Sequence, residues 1–279
     1  MKLNYLLLIT LCVTLIACNT ETIDAVDEEI EEIEEVEETE ETTDNNLIKR
    51  IVYNKDTAEE YTDTFNYDGN KLTSVDYGDG YKNVFVYDEK NNIVKDEYYS
   101  ENVLAAYTVL EYDTENKLTK FTETFLEPSG LDDRQYENVF TYNNDGTITK
   151  EVYVDYSNSG FELSWTETII FNNKNITNVK DNDDSTEYIY TYDDKKGMFE
   201  NIYAIEILNQ LSENEFGPYI YGNTNNITSN IEKYENHESG DLTEYTYGDD
   251  GYPETALYKS IYDGVIDEDQ TETIDFFYE

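Results

Sequence analysis

The chain is poor in nearly every side chain that metal and nucleophile chemistry uses. Its 279 residues include one His, two Cys, one Trp, two Met and three Pro. One His and two Cys cannot build a Cys/His zinc cage or a Cys-His catalytic pair. With no second His, the common Ser-His-Asp and His-metal constellations are closed as well. Positive charge is scarce too: 18 Lys and Arg stand against 64 Asp and Glu, a net −46. A surface of that sign cannot neutralise phosphates, so nucleic acid is excluded as a partner. Long apolar runs are confined to the first eighteen residues. What the chain does have is 28 Tyr and 14% aromatic residues. That is too much for a disordered polyanion, so most of the chain folds.

Met1 to Cys18 reads as a secretory signal, with Lys2 its only charge and Leu6 to Ala17 nearly all apolar. The run is too short to span a bilayer, and small Ala17 precedes the cleavage point. Leu15-Ile16-Ala17-Cys18 resembles the bacterial lipobox of lipoprotein signal peptides. That resemblance implies cleavage before Cys18, a diacylglyceryl group on its sulfur, and acylation of the new amino terminus. Several acyl chains at about 0.8 kcal/mol per buried CH₂ make a stable anchor. Cys12 then leaves with the signal and Cys18 is consumed by lipid, so no disulfide forms.

Residues 18–46 form the next expected segment. After Cys18 they carry 14 carboxylates, Glu21 to Asp44, and no base. Ile23, Val26, Ile30, Ile33 and Val36 could make a helical stripe, but like charges at i,i+4 oppose it. A solvated acidic tether is the expected state. An acidic stretch just after a lipidated Cys also resembles the export signal of surface lipoproteins in Bacteroidetes.

From Leu47 to Glu279 the chain repeats itself, which defines its third segment. Units begin at Tyr67-Asp68, Tyr87-Asp88, Tyr112-Asp113, Tyr142-Asn143, Phe171-Asn172, Tyr192-Asp193, Tyr221-Gly222 and Tyr247-Gly248. Most close on an aliphatic residue, often followed by Thr: Leu72-Thr73, Ile93-Val94, Leu118-Thr119, Ile148-Thr149, Ile176-Thr177 and Ile227-Thr228. Each is a β-hairpin in physical terms. Asp and Asn turn the backbone through side-chain hydrogen bonds, and Asn and Gly tolerate positive φ. Flanking residues alternate as strands do, with Tyr81, Phe85 and Tyr87 on one face, then Tyr136, Phe140 and Tyr142, then Val152, Val154 and Tyr156. The expected fold is all-β: an antiparallel meander of roughly sixteen strands. An open twisted sheet, a half-barrel and a sandwich all fit the pattern. A short helical excursion over 199–211, carried by Phe199, Ile202, Tyr203, Ile205, Leu208 and Leu211, is expected to cover one edge or face of the sheet.

These Tyr-Asp…Leu units resemble the YD-type repeats of uncharacterised Bacteroidetes lipoproteins. The stretch Tyr192 to Phe199, followed by Asn225-Asn226-Ile227-Thr228, is similar to a block common in that group, although Gly197-Met198-Phe199 stands where Asn-Pro-Phe is usual. The units depart from the YD repeats of toxin shells, which carry Gly-Arg before the Leu. The resemblance implies location and architecture and no activity.

Among single residues, His237 lies in a polar turn and reads as an exposed loop histidine. Carboxylate pairs of the glycosidase type cannot be picked out where every strand carries several acids. Asp181 to Glu187 and Asn143 to Gly146 offer oxygen ligands for weak Ca²⁺ binding, without the EF-hand pattern, and no cofactor is expected. Trp165 is the candidate platform for stacking a ligand. The expectation is a lipid-anchored protein of the cell envelope, at the outer membrane and facing its surface, with a non-catalytic binding or structural role. Its partners are the membrane, through lipid on Cys18, and a glycan or envelope protein. A glycan-binding accessory protein using exposed Tyr and Trp165 is the alternative, and a carboxylate-pair hydrolase the third.

Overall fold

A computed structural model describes residues 46–126, 134–156, 159–212 and 224–279. The signal peptide and nearly all of the expected tether lie outside them. The fold occupies the compact unit Asp44–Glu279. Its strands run β1 (Ile48–Tyr53), β2 (Tyr61–Asp68), β3 (Lys71–Gly78), β4 (Tyr81–Tyr87), β5 (Ile93–Ser100), β6 (Val103–Tyr112), β7 (Leu118–Phe125) and β8 (Arg134–Tyr142). They continue with β9 (Ile148–Tyr156), β10 (Glu162–Asn172), β11 (Asn175–Asp181), β12 (Glu187–Tyr192), β13 (Ile227–Tyr234), β14 (His237–Tyr247), β15 (Pro253–Tyr262) and β16 (Val265–Tyr278). One helix, α1 (Ile205–Ser212), falls between β12 and β13.

The meander and the number of strands follow the repeat, but the sheet is a closed barrel rather than an open sheet, a half-barrel or a sandwich. Closure is made by β1 and β16, which pair antiparallel from Ile48↔Tyr278 to Tyr53↔Ile274. The chain ends meet there as well, Leu47 and Glu279 exchanging backbone hydrogen bonds of 3.1 and 3.0 Å. Twist curls a sheet of this many strands until its first and last strands meet, and pairing them removes both edges.

The repeat's residue types each have a job in the hairpin. The opening Asp of the loop turns the chain: the Asp88 carboxylate accepts the N–H groups of Lys90 and Asn92, both at 2.8 Å. Asp113 does the same for Glu115 and Lys117 at 2.8 and 2.9 Å. The positive-φ position that follows falls to Asn91 and Asn116, at φ 69°, as Asn tolerates it. In several hairpins the Thr marks a β-bulge. In β2–β3 the pairing steps from Asn66↔Ser74 to Tyr67↔Leu72, which leaves Thr73 as the extra residue. The same step isolates Thr119 and Thr177. Their hydroxyls donate back across the hairpin, Thr73 to the Asn66 carbonyl at 3.0 Å and Thr119 to that of Glu111 at 3.1 Å. The bulge bends the strand and deepens the local twist that closure needs.

The unit's Tyr ties each hairpin to its predecessor. Tyr67, Tyr87, Tyr112, Tyr142 and Tyr192 donate their hydroxyls to the carbonyls of Ile48, Leu72, Ile93, Leu118 and Ile176. Those bonds run from 2.6 to 2.9 Å. Each clasps two strands at the rim where no turn joins them, at about 1 kcal/mol apiece. Phe171 has no hydroxyl to offer, and Tyr247 gives its own to Asp193.

The excursion between β12 and β13 covers no sheet edge, because none exists. It plugs the barrel. Met198, Phe199, Ile202, Ile205 and Leu208 are buried among Leu72, Ile93, Leu118, Ile148, Ile176 and Ile227, the aliphatic residues that close the repeat units. Around this rim the excursion touches the Asn70 carbonyl through the Tyr203 N–H, Glu206 pairs with Lys174, and Asn201 bonds Tyr252. Its helix is shorter than the 199–211 pattern, since Ala204 at φ 59° sets the turn before Ile205.

Candidate functional site

Alternation along each strand sends one parity inward with the core and the other outward. The outward face carries charge all the way round. Lys120 of β7 bridges Glu111 and Glu137 of its two neighbour strands at 2.6 and 3.2 Å. Lys95 pairs with Glu97 at 2.6 Å, Lys233 with Glu238 at 2.8 Å and Lys259 with Glu244 at 2.8 Å. Thr122, Thr141, Thr149, Thr168 and Thr191 share this face, with single aliphatics such as Val139 and Ile231 between them. A membrane-spanning strand needs about 9–11 residues with an apolar outward band some 25 Å tall. Most strands here have 6 to 10 residues, so these charges fall inside any such band. A wall charged at these positions is chemically suited to water rather than to lipid. Among the described residues no helix is long and apolar enough to cross a membrane, which by itself says nothing of strands.

The inward face divides along the barrel axis. Toward the plug it is the aliphatic and aromatic core. Toward the opposite rim it turns to carboxylates and tyrosines: Asp63, Asp96, Glu123, Glu167, Glu232, Asp241 and Glu272 all share the core's parity. The bases on that parity are Lys150, wholly buried, and Arg134 at the rim. Lys150 lies 2.9 Å from Glu167, whose other oxygen accepts the Trp165 indole N–H at 2.7 Å. Asp241 accepts the Ser260 hydroxyl at 3.3 Å, and Tyr188 donates to Glu232 at 3.4 Å.

Burial shows in the titration of this lining. Asp241 is raised by desolvation. Asp63 is pushed up to about 6 for the same reason, despite a 2.8 Å hydrogen bond from Tyr53 that favours its charged form. A carboxyl raised above its unfolded value holds its proton more tightly when folded. Its contribution to stability is therefore full below about pH 4 and is lost as pH rises to about 6. Asp63→Asn should flatten that part of the profile. The wild type should lose on the order of 2 kcal/mol relative to the variant between pH 4 and 6.5, read by denaturant melts at each pH. A wild type and variant that run parallel across this window would contradict the assignment.

The residues singled out from sequence are scattered. Cys18 lies outside the described residues. Trp165 points into the barrel, half-buried, rather than standing on an exposed sheet face. His237 is exposed and opens β14 just after the turn, rather than lying within it, with its Nδ1 3.1 Å from Asp263. In the Asp181–Glu187 loop, Asp181 accepts the N–H groups of Asp183 and Asp184, and Asp184 that of Thr186. Asp145 likewise holds the N–H of Thr147 at 3.1 Å. Among the described residues no three His, Cys, Asp or Glu side chains converge as a metal site. Sequence reading missed the inward carboxylates as a set. Their only signal was an acid at the parity of the core aromatics, as with Asp96 opposite Phe85.

The chain matches no protein-family profile and no curated protein sequence. Solved structures do resemble it. A porin-like protein from Bacteroides vulgatus is 13% identical, with a TM-score of 0.51 over 84% of this chain and 99% of that one. A porin-like protein from Bacteroides uniformis is 14% identical, with a TM-score of 0.48 over 82% of this chain and 95% of that one. At 13% identity the likeness to the B. vulgatus structure establishes a shared barrel fold and nothing finer.

Proposed function

We propose that this protein is a lipid-anchored, non-catalytic binding protein of the outer membrane, a water-facing barrel held to the bilayer by the acyl chains on Cys18. The outward ladder of ion pairs carries the reading, because it leaves the wall no apolar band with which to enter lipid. Membrane attachment then has to come from elsewhere in the chain, and the lipobox at Leu15–Cys18 supplies it. The porin-like description of the structural neighbours agrees with an envelope location, while the polar wall argues for a barrel beside the membrane rather than through it. Binding belongs to the interior, whose polar half is acidic and tyrosine-rich above the plug. Trp165 would serve a ligand there, inside the barrel.

Fractionation tests the reading. Cys18→Ala should abolish labelling by a clickable fatty acid and move the protein from the membrane pellet to the soluble fraction. A variant that stays in carbonate-washed membranes would show that the wall itself inserts, and would sink the proposal.

A further inference from the structure

We infer that the plugged rim carries a sugar site, an open groove between the plug and the loops of two hairpins, shaped for a neutral pyranose chain. It is a second site, outside the barrel interior assigned to binding above and independent of the lipid anchor. The groove has a volume of about 440 Å³, within the range of ligand cavities. Residues of the plug between Glu200 and Ile207 form one side. The turns before β5 and β7 form the other, with Tyr112 between them.

Charge is not what this groove offers. Its ionic side chains are already engaged: Lys174 pairs with Glu206 at 3.1 Å, and Glu200 accepts the Tyr252 hydroxyl at 2.6 Å. Its polar feature is a pair of amides. Asn92, 8% exposed, and Asn116 exchange hydrogen bonds in both directions, Nδ2 to Oδ1, at 2.7 Å each way. The second Asn92 N–H goes to Asp88 at 3.3 Å. An amide has two N–H donors and two lone pairs on its oxygen. The locked pair therefore still presents one N–H, from Asn116, and a lone pair on each oxygen. A donor and acceptors side by side on a fixed frame match adjacent hydroxyls, each of which both gives and takes a hydrogen bond.

Tyr203 supplies the apolar contact. The plug around it packs inward, with Ile202 4% and Ile205 8% exposed, yet Tyr203 stands 36% exposed in the groove wall. Its N–H is tied to the Asn70 carbonyl at 2.9 Å, and Ala204 beside it holds φ 59°, where L side chains other than Asn and Asp rarely sit. The chain thus accepts local strain at the point where it turns this ring outward. The ring is a broad apolar face with a polar tip, suited to the C–H face of a sugar whose hydroxyls lie at its edge. An alkyl chain would cover the amide pair without answering its hydrogen bonds, which is costly.

The test is calorimetric titration of the purified full-length chain with cellotriose, whose equatorial hydroxyls leave both ring faces apolar, and with 1-octanol. Saturable cellotriose binding is expected, with none for octanol. Tyr203→Ala and Asn116→Gly should each weaken it at least tenfold while the melting temperature holds. Glycine keeps the positive φ at position 116 and deletes only the amide. Tyr262→Ala, at an exposed tyrosine of the opposite rim, should bind as the wild type does. If Asn116→Gly fails to fold, Tyr203→Ala decides. A folded chain that takes up no cellotriose would overturn the inference, as would octanol bound in its place. So would unchanged affinity in Tyr203→Ala, or an equal loss in Tyr262→Ala. None of these results touches the anchored, water-facing barrel, which fails only if Cys18→Ala stays in the membrane.

Discussion

Replacing Lys150 by Met should destabilise the barrel by roughly 3–5 kcal/mol, among the largest effects of any single substitution in this fold. Lys150 is fully buried and Glu167 only 13% exposed. Removing the ammonium leaves a carboxylate in a low-dielectric interior with no counter-charge. The loss should come from that stranded charge rather than from the absent pair. Lys150→Met combined with Glu167→Leu should therefore recover most of it, since hydrophobic replacements of a buried pair are often neutral. Denaturant midpoints of the two single variants and the double variant check this. If the double variant is no more stable than Lys150→Met alone, the ion pair is not what holds this part of the interior.

The plug gives the second large effect. Phe199 is 2% exposed and packs 5.7 Å from Phe65 of β2, centroid to centroid. Phe199→Ala removes an aromatic ring from the centre of the plugged rim and should cost about 3–5 kcal/mol. For a chain of this size that lowers the melting temperature by roughly 10 °C. Tyr203, four residues on and 36% exposed, should tolerate Ala at less than about 1 kcal/mol. The contrast matters more than either value. Were the two substitutions to cost the same, the excursion would be a surface loop and the rim would be open.

The hairpins were legible because their causes are local. Asp and Asn in the turns, alternation in Tyr81, Phe85 and Tyr87, and the aliphatic that closes each unit all act within a few residues of one another. The apolar spacing of Phe199, Ile202, Ile205 and Leu208 likewise identified residues that are buried. Closure was not legible, because it depends on pairing Ile48 with Tyr278 across almost the whole domain. β1, with its sequence Ile48-Lys-Arg-Ile-Val-Tyr53, lies outside the repeat and carries no mark of its partner. The recurrent Thr was visible as a pattern, but its meaning needs the register that places Thr73 and Thr119 at bulges. The inward carboxylates were hidden by abundance: an acid on either face reads alike until closure makes one face an interior. Trp165 was misplaced for the same reason. Its strand was read as part of a sheet with two outer faces, and in a barrel one of those faces is enclosed.

The polar outer wall separates a barrel that stands in water from one that spans lipid, and Val139 of β8 reports on it directly. Val139 lies on the outward parity, opposite Lys120, with Asn138 and Phe140 turned inward on either side. A nitroxide on Val139→Cys, with the lipidated chain in proteoliposomes, can be probed by collision with a water-soluble nickel chelate and with oxygen. The label should be relaxed strongly by the chelate and little by oxygen, as at any solvated surface. Strong relaxation by oxygen with the chelate excluded would place this wall in hydrocarbon, and the water-facing barrel would be wrong.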